Sequence, residues 1–181
     1  MQNNLGELSS ELKKGSLVLS PYAGSWGFLV ALDNKERIQE LVNLKQTEAW
    51  VLISSDAMLN KTVEDIPELA WDIIDESEEV PLLKLKASKL IAQELRGEHG
   101  LIQIYFDKTP HTNNLISKFG RALAYFRILN ESQKSLEFEN INDEMKQMAD
   151  FINKGTESKV KNQVPPLIQL GMNGEIQILR Y

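Results

Sequence analysis

Two short apolar segments near the C-terminal end of the sequence flank the dipeptide Asn173-Gly174. Asn-Gly favours the type I′ turn, in which both central residues have positive φ, and this turn joins antiparallel strands through a two-residue loop. Residues 167–170 and 175–179 are therefore predicted to form an antiparallel hairpin. It is the strongest short-range structural signal in the chain, so the fold must contain it.

Upstream of this hairpin, short apolar segments of the strand type alternate with segments whose apolar residues recur at helical spacing. Leu5, Leu8 and Leu12 have the helical spacing, and Gly15 suits a helix C-cap. The alternation predicts an α/β fold, with a mixed, twisted, open sheet flanked by helices and a C-terminal antiparallel hairpin. The predicted strands are residues 17–20, 26–32, 50–53, 82–85, 101–106 and 122–127, and predicted helices begin at residues 5, 34, 67, 88, 109 and 142.

The length and composition suit a single globular domain. The chain has 181 residues, of which 42% are apolar and 25% are charged, and these values are ordinary for a protein that folds around its own core. No internal repeat occurs, and no linker is long enough to divide the chain. Residues 1–181 are therefore predicted to form one domain.

The motifs of several enzyme classes are missing. Cysteine is absent, which excludes disulfides, thiolate metal sites and a cysteine nucleophile. The two histidines, His99 and His111, lack zinc-ligand spacing, and no Gly-x-Ser-x-Gly motif accompanies them. The segment Gly24-Ser-Trp-Gly27 matches neither the dinucleotide-binding fingerprint nor the Walker pattern. We therefore predict no metal site, no cofactor and no catalytic residues.

The sequence offers no membrane-spanning or secretory segment. The longest uninterrupted apolar run is residues 28–32, whereas a bilayer needs about 20 apolar residues. The N-terminus lacks the basic start and apolar core of a secretory signal. We therefore expect a cytoplasmic protein with no membrane partner.

The formal net charge of −6 repels nucleic acid at long range, so RNA binding requires cations gathered on one face.

Two lysines are placed to share one strand face. Lys84 and Lys86 alternate with leucines in a predicted strand, so their side chains point the same way, and Lys89 follows closely. Such lysines can contact phosphate. A solvated strand face has the same pattern, and we favour that interpretation.

The order of the elements, together with particular residues, resembles the YrdC-like family of threonylcarbamoyl-AMP synthases. Residues 12–21 look like that family's first helix and strand. The following segment, Pro21-Tyr-Ala-Gly-Ser-Trp-Gly27, is similar to the family's Pro-Thr-Asp-Thr-x-Trp/Tyr-Gly segment, with which Pro21, Trp26 and Gly27 agree.

The resemblance continues through almost the whole chain, over residues 8–180. Lys45 occupies the lysine position of the family's Lys-x-Arg motif, and Thr47 stands where the arginine is expected. Residues 66–74 and 168–180 also look like family segments. The resemblance therefore implies a YrdC/RibB-like form of the mixed α/β sheet.

The same resemblance implies a cleft on the sheet that binds ATP, threonine and bicarbonate and makes the adenylate later used to modify tRNA. A triphosphate out of water needs several cations and hydroxyl or amide donors. Here the loop after Lys45 is shortened to residues 47–50, and the arginine of the family's Ile-Arg-Val strand falls at Tyr105. The family's Thr-Ser-Ala-Asn motif falls at residues 126–129, and its Pro-Ser-Ser/Thr motif falls at residues 164–166. These departures predict that synthase activity has been lost.

We therefore predict a catalytically degenerate YrdC-like domain, not an enzyme, that binds RNA or a nucleotide and is related to tRNA modification and translation. The partners that the resemblance implies are tRNA or double-stranded RNA, or a nucleotide. The residues that stand at cleft positions are Lys45, Tyr22, Gly24, Tyr105 and Arg127.

Two alternatives remain open at the level of sequence. A pseudoenzyme with a protein-interaction or regulatory role would bind a protein partner through exposed aromatic side chains at the cleft, and Tyr22, Tyr105 and Phe126 stand there. The other alternative is an active threonylcarbamoyladenylate synthase with rearranged ligands.

Overall fold

The computed structural model describes residues 5–129, 137–154 and 164–181. Strands and helices alternate through these residues, which confirms the predicted mixed α/β fold. The strands are β1 (Val18–Tyr22), β2 (Ser25–Ala31), β3 (Thr47–Ile53), β4 (Leu82–Lys86), β5 (Leu101–Phe106), β6 (Leu123–Ile128), β7 (Phe151–Ile152), β8 (Leu167–Leu170) and β9 (Ile176–Arg180). The α-helices are α1 (Leu5–Lys14), α2 (Lys35–Val42), α3 (Asp56–Thr62), α4 (Glu68–Glu76), α5 (Pro110–Phe119) and α6 (Asp143–Met148).

The described strands form one mixed sheet in the order β7-β1-β2-β6-β3-β5-β4-β8-β9. The pairs β1–β7, β3–β5 and β4–β8 are parallel, and the remaining neighbours are antiparallel. The predicted C-terminal hairpin is confirmed: β8 and β9 pair antiparallel, with Leu170 opposite Ile176. Of the two residues Asn173 and Gly174 only Gly174 has a positive φ, of +78°, so the connection is a longer turn and not the two-residue type I′ turn. This hairpin places β9 at one edge of the sheet.

One face of the sheet carries the larger hydrophobic core. The apolar sides of α2, α3, α4 and α6 pack against strand residues that alternate inward on this face. The helix residues buried here include Ile38, Leu41, Leu59, Ala70, Ile74 and Met145, and the strand residues include Phe28, Val51, Ile104 and Phe126.

The opposite face, here called the α1/α5 face, is covered differently. Helices α1 and α5 pack against each other and against the strands through a second apolar cluster. Among the described helices, α1 and α5 supply the fully buried residues of that cluster and α3 adds only the half-buried Met58, so the sheet's own side chains line much of this face. The buried residues include Leu8 and Leu12 of α1, Leu115, Ile116 and Phe119 of α5, and Leu29, Trp50, Leu52, Leu123 and Tyr125 of the sheet.

The helix predicted from residue 88 to residue 95 is wrong. Ser88 Oγ accepts a hydrogen bond from the Leu90 amide, and the Arg96 guanidinium donates to the carbonyl oxygens of Ser88 and Ile91. These side chains satisfy backbone groups that a helix would have used for its own hydrogen bonds. A 3₁₀ turn, Gln93–Leu95, is the helical structure that remains.

Helix α3 was not predicted from the sequence. Ser55 caps it, because its Oγ accepts a hydrogen bond from the Met58 amide at 3.3 Å. The helix has seven residues, of which Leu59 and Thr62 are buried. Two buried positions are too few to produce a clear helical periodicity.

No helix in the described part of the chain is both long and apolar enough to cross a membrane.

A close approach of two strands depends on Gly27. A Cβ atom at this position would lie 2.5 Å from both the Tyr125 ring and the Phe126 carbonyl oxygen. We expect Gly27→Ala to lower the free energy of unfolding by about 1–3 kcal/mol, because backbone or a buried ring must move to admit the methyl group. Urea denaturation measures this loss.

Gly97→Ala serves as the control for that measurement. Its added Cβ would approach the Leu101 carbonyl oxygen only to 3.3 Å, and the φ of Gly97 is −74°, which alanine adopts freely. We expect a smaller loss for this variant. Equal stability of Gly27→Ala and the wild-type protein would contradict the packing described for β2 and β6.

Candidate ligand-binding cleft

Contacts across the α1/α5 face join strands that are not neighbours in the sheet. Three strands separate β1 from β5, and three separate β3 from β9, so in a flat sheet each pair would be about 19 Å apart. Nevertheless Tyr22 Oη on β1 donates to Asp107 Oδ2 just after β5 at 2.6 Å, and Arg180 Nη1 on β9 lies 2.9 Å from Glu48 Oε1 on β3. A twist of about 20–25° at each strand pair brings opposite corners together in this way. The part of this face between the two contacts is the candidate cleft.

Aromatic rings fill one half of the cleft. Tyr22, Trp50, Tyr105 and Tyr125 are in mutual ring contact, with centroid separations between 5.3 and 6.0 Å. Tyr125 Oη donates to the Ser25 carbonyl oxygen at 2.8 Å. Burial raises the pKa of Tyr125, and burial together with the charge of Asp107 raises the pKa of Tyr105. Both phenols therefore stay neutral at physiological pH and serve as packing and hydrogen-bonding groups.

Three charged side chains occupy the other half. Arg127 is only 3% exposed, and its Nη1 lies 2.8 Å from Glu48 Oε2. Arg180 Nη1 lies 2.9 Å from Glu48 Oε1 and 3.2 Å from Glu48 Oε2. Two guanidinium groups on different strands therefore share one carboxylate. Charge-assisted contacts of this kind are the strong ones in proteins.

The two arginines control the ionisation of Glu48. Burial alone would raise the pKa of this carboxyl, but the positive charge of Arg180 and hydrogen bonds from Arg180 and Arg127 outweigh burial. The pKa of Glu48 is therefore held below the ordinary glutamate value, and the carboxylate is ionised at neutral pH.

Several polar atoms in the cleft remain available for a ligand. Trp50 Nε1, Gln103 Oε1 and Arg127 Nε are buried and have no hydrogen-bond partner among the described residues. Lys84 lies directly opposite Gln103 in the β4–β5 register and makes no ion pair within the described part of the chain. Leaving buried polar atoms unpaired is costly, so such atoms often mark a place where a ligand binds.

The charge of the cleft favours an anionic ligand. Arg127, Arg180 and Lys84 contribute three positive charges to the α1/α5 face, and Glu48 and Asp107 contribute two negative charges, which leaves a formal charge of +1. The cleft is therefore basic on a molecule whose formal net charge is −6. Phosphate and carboxylate groups are the chemistry that guanidinium groups recognise best.

Across the described residues, no three histidine, aspartate or glutamate side chains are grouped as metal ligands.

Three of the residues predicted for the cleft do lie on the α1/α5 face. Tyr22 and Tyr105 belong to the aromatic cluster, and Arg127 belongs to the charged one. Lys45 lies in the loop between α2 and β3, where it is exposed and has no polar partner among the described residues. Gly24 lies at the β1–β2 turn with a φ of +80°, next to Ala23 with a φ of +42°. Gly24 therefore shapes the hairpin at the cleft entrance.

A protein-binding cleft would need exposed aromatic side chains, but of the three predicted for it Tyr22 and Phe126 are buried and Tyr105 is half-buried. Tyr22 is 6% exposed, and Phe126 is 1% exposed and packs in the core of the opposite face. Phe126 alternates with Arg127 along β6, so only one of the two can face the cleft. Lys86, which shares a strand face with Lys84, instead pairs with Glu64 at 3.0 Å near the surface.

Sequence reasoning missed Glu48, Arg180, Trp50 and Gln103 as cleft residues. One signal for Glu48 was available: it lies two residues before Trp50 in a buried strand, so its side chain points to the same face. A charged residue at an inward position of a strand needs an opposite charge. Nothing local in the sequence pointed to Arg180, which lies 132 residues away from Glu48.

The sequence and the structure both match known proteins. The profile of the Sua5_yciO_yrdC family, described as telomere recombination, matches residues 10–181. Escherichia coli YciO has 16% sequence identity and a TM-score of 0.78, and the match covers 99% of this chain and 89% of YciO. No curated protein sequence matches the chain.

Two further structures show the same fold within longer proteins. Pyrococcus abyssi Sua5 complexed with L-threonine has 17% identity and a TM-score of 0.73. Full-length HypF in its phosphate- and nucleotide-bound form has 17% identity and a TM-score of 0.67. Each match covers 97% of this chain, but only 53% of the Sua5 chain and 28% of the HypF chain.

The protein is thus a mixed α/β domain with a basic cleft on one face of a strongly twisted sheet. It belongs to the Sua5/YciO/YrdC family, because the family profile matches almost the whole chain. The predicted family and the predicted fold class are both confirmed.

The lowered pKa of Glu48 makes part of the stability dependent on pH. The Glu48 contribution is fully present above the ordinary glutamate pKa of about 4.3 and disappears as the pH falls through the lower folded-state pKa. We expect Glu48→Gln to lower the free energy of unfolding by about 3 kcal/mol at pH 7, because it leaves Arg127 buried without a counter-charge. Urea denaturation between pH 7 and pH 3 should show this difference shrinking at acid pH.

Glu64→Gln is the matched control, because Glu64 pairs with Lys86 at the solvent-exposed end of β4 in the same sheet. Solvent screens an exposed pair and weakens it, so this variant should differ little from the wild-type protein. A Glu48→Gln loss that stays constant from pH 7 to pH 3 would contradict the assigned ionisation.

Proposed function

We propose that this protein binds a nucleotide in the cleft of the α1/α5 face and does not catalyse adenylate formation. The observation that carries the proposal is the Arg127 guanidinium, 97% buried at the cleft with its Nε unpartnered among the described residues. A buried arginine with a free donor suits the phosphate group of a small ligand. An RNA duplex would need exposed cations instead.

One relative supports a nucleotide as the ligand. HypF, whose fold is shared, has been crystallised in a phosphate- and nucleotide-bound form. P. abyssi Sua5, crystallised with L-threonine, supports a small-molecule ligand without pointing to a nucleotide. The resemblance of this chain to YrdC-like synthases supports a relation to tRNA modification. The cytoplasmic location stays a prediction from the sequence. A nucleotide ligand is compatible with it.

Loss of synthase chemistry is inferred from how the cleft's cations are used. A triphosphate must be neutralised by several cations that are free to contact it. Here Glu48 engages both Arg127 and Arg180, and aromatic rings fill the other half of the cleft. Lys45, which stands at the family's lysine position, is exposed in a loop. These arrangements support binding more than catalysis.

Nucleotide binding is tested by titrating ATP, ADP and AMP into the full chain by isothermal calorimetry. We expect Lys84→Ala to weaken the affinity about tenfold, because a charge-assisted hydrogen bond contributes about 1.5–3 kcal/mol and Lys84 is partly solvated. Lys86→Ala is the matched control on the same strand, since Lys86 already pairs with Glu64. Equal losses for the two variants, or no binding of any nucleotide, would overturn the proposal.

The absence of catalysis has a separate test. Protein given ATP, threonine, bicarbonate and Mg²⁺ should release no pyrophosphate above a no-protein control. Steady release that Lys45→Ala abolishes would instead establish an active synthase with rearranged ligands.

RNA binding is measured in the same series with labelled tRNA and duplex RNA. Because each neutralised phosphate releases counterions, binding through two or three cations would fall with salt at a log–log slope of about −2 to −3. RNA binding with that slope, in the absence of nucleotide binding, would make RNA the ligand class.

One observation favours the alternative of a protein-binding role. The edge strand β9 exposes Ile176, Ile178 and Leu179, which are 56%, 48% and 40% exposed. Exposed apolar edge strands can pair with another chain. Nothing in the described residues indicates which protein would cover them, so nucleotide binding remains the proposed function.

A further inference from the structure

The Glu48 carboxylate has the position that the anionic group of a ligand would take. Its two oxygens receive contacts of 2.8 Å from Arg127 and of 2.9 and 3.2 Å from Arg180. Arginine binds carboxylates and phosphates with the same planar donor geometry. Two guanidinium groups that converge on one carboxylate therefore form an anion-binding site that is occupied by the protein's own side chain.

This carboxylate is not needed to fill the hydrogen-bonding capacity of the arginines. Arg180 Nε and Nη2 donate to the Pro165 carbonyl oxygen at 3.4 and 3.3 Å, whereas Arg127 Nε has no partner among the described residues. Arg127 Nε is therefore a donor that the Glu48 carboxylate leaves unused. An anion with more acceptor oxygens than a carboxylate could use it.

We propose that a phosphate-bearing ligand binds this protein by displacing the Glu48 carboxylate from Arg127 and Arg180, so that Glu48 is an intramolecular competitor that sets the affinity of the cleft. The proposal rests on the proposed function, since it concerns the same cleft. In this proposal Glu48 regulates how tightly the cleft binds its ligand.

The competition determines which ligands can enter. A tethered carboxylate competes at a high effective concentration, so a free carboxylate of equal charge cannot replace it. A diphosphate carries several negative charges and more acceptor oxygens, and its Coulomb attraction to two guanidinium groups is correspondingly stronger. The ligand class is therefore a diphosphate or a nucleotide that carries one.

Inorganic pyrophosphate is the probe for the test, measured by calorimetry on the full chain at low ionic strength and neutral pH. We expect Glu48→Gln to bind pyrophosphate at least tenfold more tightly than the wild-type protein. The matched control Glu64→Gln, which removes a carboxylate from an exposed ion pair on the same sheet, should bind like the wild type. Acetate should bind neither the wild type nor Glu64→Gln.

A double variant shows whether the gain arises at this site. Glu48→Gln combined with Arg127→Met should lose the tenfold gain, because the second substitution removes the arginine that the competitor had occupied. Near-ultraviolet circular dichroism and cooperative unfolding establish that each variant is folded. No gain in the folded Glu48→Gln variant, or a gain that survives Arg127→Met, would overturn the proposal.

If Glu48→Gln does not fold, Glu48→Asp replaces it. The shorter side chain keeps the charge but withdraws it from the guanidinium groups by one methylene, so we expect a gain of about threefold, and an unchanged affinity would overturn the proposal.

The outcomes separate this proposal from the proposed function. Pyrophosphate binding by Glu48→Gln without nucleotide binding by the wild type would refute the proposed function and support the competitor. Nucleotide binding by the wild type, with no tighter pyrophosphate binding by Glu48→Gln, would support the proposed function and refute the role of Glu48 as a competitor.

Discussion

A buried guanidinium group needs a counter-charge, and in this protein Glu48 supplies it. Removing an ion from water costs several kcal/mol, which is recovered only when an opposite charge and further hydrogen bonds are well placed. Glu48 meets that need for Arg127 on the neighbouring strand β6 and also reaches Arg180 on β9. The contact between β3 and β9 exists because the sheet is strongly twisted. The charge pairing that makes the burial of Arg127 possible therefore depends, through Arg180, on the twist of the sheet.

The likeness to solved structures extends to the fold. YciO and Sua5 have the same fold at 16% and 17% identity, which is possible because a fold needs apolar residues in the correct periodic positions rather than particular side chains. A binding site depends instead on individual donors and charges. In this chain those groups are the Glu48 carboxylate with its two arginines and the tyrosine cluster.

Local signals account for the elements that the sequence predicted well. Pro110 and Gly120 delimit α5, and the Asn173-Gly174 turn sets the register of the C-terminal hairpin. Where those signals were ambiguous, prediction failed: side-chain hydrogen bonds from Arg96 replaced the helix expected over residues 88–95. Helix α3 escaped notice because a short helix with two buried residues has almost no periodicity. Contacts that are remote in sequence, such as that of Arg180 Nη1 with Glu48, are not visible in a pattern.

The same distinction between local and remote contacts applies to the residues of the cleft. The sequence by itself determined that the protein has a mixed α/β sheet, because the periodicity of its apolar residues distinguishes strands from helices. The resemblance to the YrdC-like family then predicted Tyr22, Tyr105 and Arg127 as cleft residues. Only the tertiary structure decided that Arg127 is buried against Glu48 and that Arg180 joins them. The physical reason is that sheet twist accumulates over several strands, and its sum determines which distant residues meet.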